Sequence, residues 1–154
     1  MSKKYQEQNI EPDPIYGDVM VSKFINHIMK GGKKFLARRI VYGAFAIIKK
    51  ETGKEPLEIF QKAIETAGPQ TEVRPQRVGG ATYQVPREVK GKRKIGLAMR
   101  WIIDSGRGKK GKEMERKLAE ELISASKGEG EAVKKKINVH RMAEANRAFA
   151  YLAR

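Results

Sequence analysis

The sequence contains no cysteine among its 154 residues. Disulfide bonds, thiolate metal sites and cysteine nucleophiles are therefore excluded. No stretch approaches the ~20 consecutive apolar residues that a membrane-spanning helix needs. Lys3 and Lys4 stand near the N-terminus, but no apolar run follows them, so we do not expect a secretory signal. These absences predict a reduced, soluble, cytoplasmic protein that does not act at a membrane.

Residues for catalysis are also scarce. The only histidines are His27 and His140. His27 stands among apolar residues of a predicted helix, which favours a packed or surface side chain over a general base. His140, beside Arg141, stays open as a contact to a polyanion. Because paired histidines, an H-E-x-x-H motif and a nucleophile elbow are missing, we expect no enzyme, no cofactor and no metal site.

One glycine-rich stretch resembles a phosphate-binding loop. Residues 106–111 read GRGKKG, which fits G-x-G-x-x-G and, with Lys112, most of G-x-x-x-x-G-K. Both motifs require a strand before the loop, because the bound phosphates sit between that strand and the N-terminus of the next helix. Here a predicted helix precedes the loop, and Glu113 occupies the position of the magnesium-binding Ser or Thr. We therefore interpret residues 106–111 as a basic, flexible loop.

Positive charge is the most informative property of the composition. Lys and Arg number 33 against 18 Asp and Glu, and the formal net charge is +15. A field of this size attracts polyanions and points first to nucleic acid. A merely basic, solvated surface is the alternative.

The charge is concentrated rather than spread evenly. Residues 74–117 contain 14 basic and four acidic residues, a net charge of +10 in under a third of the chain. Such clustering is typical of a nucleic-acid binding face and disfavours the merely basic surface.

The hydrophobic pattern predicts a mainly α-helical domain of about six helices. Residues 1–17 lack periodicity and are expected to form a loosely ordered arm, with the single domain over 18–154. Asp18 is the expected N-cap of the first helix, Gly53 the end of the second and Pro56 the start of the third. Leu118 and Leu122 are expected to face the core from a fifth helix. The apolar residues expected to face the core from the second and last helices are Phe35, Leu36, Ile40, Val41, Ala44, Phe45 and Ile48, and Val133, Ile137, Val139, Met142, Ala143, Phe149 and Ala150.

A β-ribbon is predicted at about 71–90. Two stretches rich in β-branched residues, TEVRPQRV and TYQVPREV, flank a Gly-Gly-Ala turn. Each stretch carries a proline, Pro75 or Pro86, and proline is confined to strand edges and ends. A lone two-stranded ribbon with two free edges follows, either as a protruding arm that gains order from a bound polyanion or as a hairpin folded flat onto the helices. Its expected polyanion-facing side chains are Arg74, Arg77, Tyr83 and Arg87.

A fourth helix after Gly91 carries three arginines at seven-residue spacing. Arg93, Arg100 and Arg107 fall along one stripe, which can track phosphates, although three solvated arginines have the same pattern. Trp101 is expected to pack in the core rather than to stack on a base. In the last helix, Lys134–Lys136 crowd the first turns, where they oppose the helix dipole. A nearby anion is therefore expected at that helix N-terminus.

Four sequence blocks carry a family resemblance. Residues 77–89 read RVGGATYQVPREV, residues 32–44 GKKFLARRIVYGA, residues 97–101 LAMRW and residues 132–150 AVKKKINVHRMAEANRAFA. With these blocks in this order, the chain from about Asp13 onward closely resembles the bacterial-type ribosomal small-subunit protein seven family.

The resemblance implies a six-helix domain with a protruding β-ribbon and a structural role in the ribosome. Members are primary binders of the small-subunit ribosomal RNA, at a multi-helix junction of its 3′ major domain, and they nucleate assembly of the subunit head. The implied partners are that RNA, the exit-site tRNA, the nearby messenger RNA, and neighbouring head and platform proteins.

The resemblance also assigns residues. It implies that the ribbon residues Gly79, Gly80, Tyr83 and Gln84 face tRNA, and that Lys33, Lys34, Lys92–Lys94 and Lys134–Lys136 belong to the ribosomal RNA face. These residues and cations of the basic segment at residues 74–117 together form the predicted RNA-binding set. Its members are Lys33, Lys34, Arg74, Arg77, Arg87, Lys90, Lys92, Arg93, Lys94, Arg100, Arg107, Lys109, Lys110, Lys112, Lys134, Lys135 and Lys136.

Other functions fit the same residues less well. An architectural DNA-binding protein with a basic β-arm is the main alternative, because prolines on such an arm suit minor-groove wedging. An RNA-modifying enzyme lacks a cofactor loop and a catalytic set. A membrane-surface role requires basic residues along one long amphipathic helix, which the chain does not have.

Overall fold

The computed structural model describes residues 8–153, and it confirms the expected fold class. The elements are α1 (Val19–Ile28), α2 (Lys34–Thr52), α3 (Pro56–Ala67), β1 (Thr71–Val78), β2 (Ala81–Glu88), α4 (Gly91–Gly108), α5 (Met114–Ser126), α6 (Glu131–Ala145) and a C-terminal 3-10 helix (Arg147–Leu152). The two strands pair only with each other in an antiparallel ribbon.

Local capping signals determine where several helices begin and end. Asp18 Oδ1 accepts a hydrogen bond from the backbone N–H of Met20 at 2.6 Å, which satisfies one of the free donors at the start of α1. Gly53 ends α2 in the left-handed conformation, at a φ of 68° that disfavours residues with a side chain. Pro56 occupies the first turn of α3, where a missing N–H carries no penalty.

The core lies between α1, α2, α3, α4 and α5. Phe60 is fully buried, and its ring centroid lies 5.0 Å from that of Phe24 and 5.5 Å from that of Phe45. The fifth helix packs against α2, α3 and α4, and its Leu118 and Leu122 are fully buried as predicted. Within residues 8–153 no helix is long and apolar enough to cross a lipid bilayer.

Residues 13–17 of the expected arm are tied to the helical body. The Asp13 side chain is buried, and its carboxylate accepts hydrogen bonds from the backbone N–H groups of Ile15 and Tyr16 and from the Tyr42 hydroxyl at 2.7 Å. Burial and this bond to Asp13 raise the pKa of Tyr42 to about 12. The Tyr16 ring packs edge-on against Phe45. Residues 1–7 of the expected arm lie outside the described residues.

Two of the core positions predicted in α2 are wrong. Phe35 is 81% exposed and Leu36 is 41% exposed. The buried stripe of this helix runs instead through Ala37, Val41 and Ala44, and it continues to Phe45 and Ile48. Because residues two apart on a helix point about 200° apart, a stripe through Ala37 turns Phe35 to the opposite side.

The last helix is shorter than predicted, and only part of its predicted core face is buried. It ends at Ala145, and the chain continues in the 3-10 helix rather than in the same helix to Ala150. Ile137 and Met142 are about half-exposed, which contradicts their predicted core positions. Val133 and Ala143 are buried and Val139 packs against the core, as predicted, whereas Ala150 is exposed. The half-buried Lys136 and His140 lie on the same side of the helix as Ala132 and Ala143.

Candidate nucleic-acid interface

The two strands of the ribbon present two chemically different faces. In the antiparallel register, Glu72 lies opposite Arg87, and the pairing continues one residue at a time until Val78 lies opposite Ala81 beside the turn. Directly paired residues share a face, and faces alternate along each strand. We define the inner face as Glu72, Arg74, Gln76, Val78, Ala81, Tyr83, Val85 and Arg87, and the outer face as Thr71, Val73, Pro75, Arg77, Thr82, Gln84, Pro86 and Glu88.

An ion-pair cluster centred on Glu72 joins the inner face to α4. Arg93 donates from Nε to Glu72 Oε1 and from Nη2 to Oε2, both at 2.7 Å, and Arg74 Nε donates to Oε1 at 2.8 Å. The hydrogen bond from Arg93 lowers the pKa of the Glu72 carboxyl, although burial acts in the opposite direction. Two of the predicted RNA-binding arginines are therefore engaged within the protein.

The remainder of the inner face packs on the helices that follow the ribbon in sequence. Val85 is fully buried, and the Tyr83 ring lies 5.2 Å from the ring of Phe149 in the 3-10 helix. Arg87 Nη2 donates to Gln76 Oε1 at 3.0 Å, while Arg87 Nε is buried without a hydrogen-bond partner among the described residues. Because α6 and the 3-10 helix contact the ribbon, it is neither a free arm nor a hairpin lying wholly on the body.

The turn and the part of the outer face nearest to it are open to solvent, whereas Thr71, Val73 and Pro86 are half-buried. Arg77 and Gln84 are exposed, and neither donates nor accepts a side-chain hydrogen bond among residues 8–153. Gly79 and Gly80 have φ values of 57° and 87°, the pattern of a two-residue turn with positive φ at both positions. Residues with a side chain rarely adopt these angles, so glycine at both positions holds the tip narrow.

The arginine stripe of α4 does not present three equivalent cations. Arg93 binds Glu72, and Arg107 Nη2 donates at 3.0 Å to the carbonyl oxygen of Ile28, the last residue of α1. A cation at this position satisfies a free carbonyl and offsets the negative end of the α1 dipole. Arg100 alone in the stripe is exposed without a hydrogen bond or ion pair in the part of the chain that the structure describes.

The three lysines at the start of α4 also have different surroundings. Lys90 is exposed and lies 3.4 Å from Glu88, and Lys92 in the first turn of α4 is exposed as well. Lys94 is half-buried, and its side chain lies so close over Gly68 that a Cβ there would approach Lys94 Cγ to 2.8 Å.

The loop after α4 engages α5. Lys109 Nζ lies 3.3 Å from the buried Glu121, and Lys112 Nζ lies 2.6 Å from Glu120. The hydrogen bond from Lys112 lowers the pKa of Glu120. Lys110 is exposed and has no such partner within residues 8–153. The loop predicted at residues 106–111 is shorter in the structure, because residues 106–108 form the last turn of α4 and Gly106 is buried. A helix precedes it, as expected, whereas the phosphate-binding motifs require a strand there.

An acidic side chain lies at the N-terminus of α6, where an anion was expected. Glu121 of α5 is 1% exposed, and its Oε1 accepts a hydrogen bond from the backbone N–H of Ala132 at 3.0 Å. This carboxylate caps the helix that starts after Gly130. The anion expected there from Lys134–Lys136 is therefore supplied by the protein itself.

The three lysines of α6 have three different environments. Lys134 pairs with Glu131, Lys135 is exposed, and Lys136 Nζ donates to the carbonyl oxygen of Thr66 at 2.8 Å. Next to it, His140 Nε2 accepts a hydrogen bond from the backbone N–H of Gln70 at 2.9 Å. Lys136 thus joins α6 to the last turn of α3 and His140 joins it to the α3–β1 connection, so both act within the fold.

Cations of α2 complete the exposed basic surface. Lys33 and Lys34 are exposed, as expected for RNA-binding residues. Arg38 and Arg39, which were not in the predicted set, follow on the same helix, and their signal was the Arg-Arg pair in the block at 32–44. No group of three or more His, Asp and Glu side chains suited to hold a metal ion occurs within residues 8–153.

These features define a class: a basic helical protein with a β-ribbon, whose site is a surface of cations. A family model described as ribosomal protein S7p/S5e matches residues 1–147. The small ribosomal subunit protein uS7 of Thermotoga maritima is 56% identical over 149 residues, which cover 97% of this chain and 96% of the relative. The uS7 of Salinibacter ruber is 56% identical over 147 residues, which cover 95% and 94%.

This chain belongs to the ribosomal protein S7p/S5e family. It is a structural, non-enzymatic ribosomal protein, which confirms the family resemblance and the expectations of a ribosomal location and of no catalysis. Family membership favours the ribosomal interpretation over an architectural DNA-binding protein and over an RNA-modifying enzyme.

Proposed function

We propose that this protein is a constituent of the small ribosomal subunit that binds its 16S-type ribosomal RNA directly. The observation that carries the proposal is that six of the predicted RNA-binding cations are exposed without an ion pair or hydrogen bond within residues 8–153. They are Lys33, Lys34, Arg77, Arg100, Lys110 and Lys135. A protein with a net charge of +15 that leaves these groups unpaired is suited to a polyanionic partner.

Binding combines charge neutralisation with recognition of RNA shape. Lysines and arginines on the surface neutralise phosphates and release counterions, which supplies most of the affinity. Folded RNA junctions differ in contour and in their unpaired bases and 2′-hydroxyl groups, which supply the specificity. The protein selects one junction geometry from an ensemble, so later proteins dock on a defined surface.

The finer location is the 3′ major domain of the RNA, where binding nucleates assembly of the subunit head. The matching ribbon block at residues 77–89 supports a position of the turn near the exit-site tRNA and the messenger exit path, beside neighbouring head and platform proteins. The exposure of Arg77, Gly79, Gly80 and Gln84 is compatible with that position. The Tyr83 ring packs against Phe149 on the inner face, so Tyr83 can contact the tRNA only from that side of the ribbon.

Chemical footprinting of the 3′ major-domain RNA tests the ribosomal RNA assignment. We expect protection of a multi-helix junction, and in parallel titrations we expect duplex DNA to bind more weakly at the same salt concentration. Equal reactivity of the RNA with and without the protein would contradict the proposal. Tighter binding to duplex DNA would favour the architectural alternative.

Shortening the ribbon tests the tRNA assignment. Deletion of Val78–Gln84 removes the exposed turn but leaves Val85 and the Glu72 cluster in place. We expect the helical circular dichroism and most of the ribosomal RNA affinity to persist, while reconstituted subunits retain exit-site tRNA less well. Unchanged tRNA retention would remove the ribbon from that site, and loss of cooperative unfolding would show that the turn belongs to the core.

A further inference from the structure

Four side chains form a single stripe along α2, in which Phe35 and Arg39 are exposed and Arg38 and Tyr42 are half-buried. Phe35, Arg38, Arg39 and Tyr42 are spaced i, i+3, i+4 and i+7, which places them on one side of the helix. Phe35 is 81% exposed, and Ile15, from the segment that crosses this helix, is 68% exposed. Large apolar side chains clustered on a surface mark contact sites more often than isolated ones do.

A groove of about 590 Å³ lies between this stripe and Pro14–Ile15. Its lining is mostly apolar, and Phe35, Ile15 and Tyr42 supply two aromatic rings and an aliphatic side chain. The volume is within the range of about 300–1,000 Å³ that is typical of small-ligand sites. The groove therefore has room for one planar ring system with part of its substituents.

Arg38 lines both this groove and a second, polar cavity of about 360 Å³. The polar cavity is lined by Lys34, Ser22 and Asn26 on one side and by residues 8–14 on the other. Arg38 Nε is buried and has no hydrogen-bond partner among the described residues. Glu11 also lines the cavity, whereas the Asp13 carboxylate already accepts three hydrogen bonds.

We propose that this part of α2 binds one unpaired nucleotide of the ribosomal RNA, with its base stacked on Phe35 and its flanking phosphates at Lys34, Arg38 and Arg39. The inference rests on the proposed ribosomal RNA binding and adds a second kind of contact to it. Unpaired bases of RNA stack on aromatic side chains and on arginine planes, which is the combination found here.

Charge decides between RNA and a protein segment as the occupant. No carboxylate pairs with Arg38 or Arg39 within residues 8–153, so two guanidinium groups flank the apolar groove uncompensated. A phosphate chain provides an anion on both sides of every base, whereas an apolar protein segment leaves both arginines unpaired when it covers them. The observations therefore favour the nucleotide.

Three substitutions at one position separate stacking from apolar contact. In titrations with the 3′ major-domain RNA, we expect Phe35→Ala to weaken binding about 5- to 150-fold. Phe35→Leu should weaken it similarly, because a leucine has no ring, and Phe35→Trp should bind like the wild type. Phe35 is exposed, so none of these variants should change the melting temperature, and Met142→Ala serves as a control at an exposed apolar position on α6.

Two further measurements locate the contact. Arg39→Gln should lower the slope of log affinity against log salt by about one, whereas Phe35→Ala should leave that slope unchanged. Chemical probing of the Phe35→Ala complex should show one base newly reactive within an otherwise unchanged footprint.

The outcomes distinguish the inference from the proposal on which it rests. Wild-type affinity and footprint in all three Phe35 variants would overturn the inference and leave ribosomal RNA binding intact. Wild-type affinity in Phe35→Leu with a loss in Phe35→Ala would replace stacking by a general apolar contact and overturn it too. Absence of any footprint with the wild-type protein would overturn both.

Discussion

Both the inner and the outer face of the ribbon carry arginine, but the arginines of the two faces have different surroundings. Arg74 and Arg87 on the inner face bond to Glu72 and Gln76, whereas Arg77, on the outer face, is exposed without a bond in the described structure. Strand alternation alone separates them, because successive side chains point to opposite sides. Counting arginines in a strand therefore overestimates the charge that is available to a partner.

The largest expected effect is the salt dependence of RNA binding, to which all exposed cations contribute. If the surface neutralises roughly 6–10 phosphates, affinity for the ribosomal RNA should fall ~10³–10⁵-fold between 50 and 200 mM salt. The internally bonded arginines of the inner face should contribute little to this slope. Filter-binding or fluorescence titrations over that range provide the measurement, and a nearly flat salt plot would contradict a charge-dominated interface.

Removing the centre of the inner-face cluster should weaken the fold. Glu72→Ala leaves Arg74 and Arg93 without their shared acceptor, and we expect the free energy of unfolding to fall by about 1–3 kcal/mol. Denaturant unfolding measures it. Glu88→Ala provides a control, since Glu88 is an exposed carboxylate on the outer face of the same ribbon. Equal stability of the two variants would show that the cluster does not hold the ribbon.

A matched pair of arginine substitutions tests the comparison of faces most directly. Arg77→Gln should lower the salt slope of RNA binding by about one and leave the melting temperature unchanged. Arg74→Gln should do the reverse, because its guanidinium bonds to Glu72. The distinction between the faces fails if both variants change the slope equally.

The smallest expected effect is a pH dependence of stability. Burial lowers the pKa of His140 below its ordinary value of 6.5, with Lys136 and Lys94 adding to the shift. The folded protein thus binds fewer protons at this site than the unfolded chain, so the free energy of unfolding should fall as the pH drops below about 6.5.

Two histidine variants assign that dependence. Protonation of Nε2 also removes the acceptor for Gln70, so His140→Leu should flatten the stability curve between pH 7 and 5. The pKa of His27 is lowered as well, by burial and by Arg100 and Lys23. His27→Asn should therefore remove a separate part of the loss of stability at low pH. Parallel curves for the wild type and His140→Leu would rule out the His140 contribution.

Signals local in sequence predicted the elements well. Asp18, Gly53 and Pro56 end or begin helices for reasons contained within a few residues, and the two glycines at 79–80 determine the turn. The helical periodicity was less decisive in α2, where small Ala37 and Ala44 line the core and the larger Phe35 does not. Residue size and apolar character mislead at Ala37, where a small residue takes the buried position.

The internal partners of the cations could not be predicted, because they join distant parts of the chain. Glu72 meets Arg93 21 residues later, Lys136 meets Thr66, and Arg107 meets Ile28. Nothing in the sequence around these residues distinguishes a bonded cation from an exposed one. The sequence therefore predicted a basic surface and the residue types that form it, whereas the positions left open to a partner needed the tertiary structure.

The bidentate bond between Arg93 and Glu72 also affects how the ribbon meets a ligand. It joins the first strand to the first turn of α4, and Tyr83 fixes the far half of the same face on the 3-10 helix. The orientational freedom of the hairpin is thus lost when the chain folds, before any complex forms. A pre-organised arm loses less conformational entropy when it binds. We expect this gain in affinity to appear as a slower dissociation rate, without additional contacts.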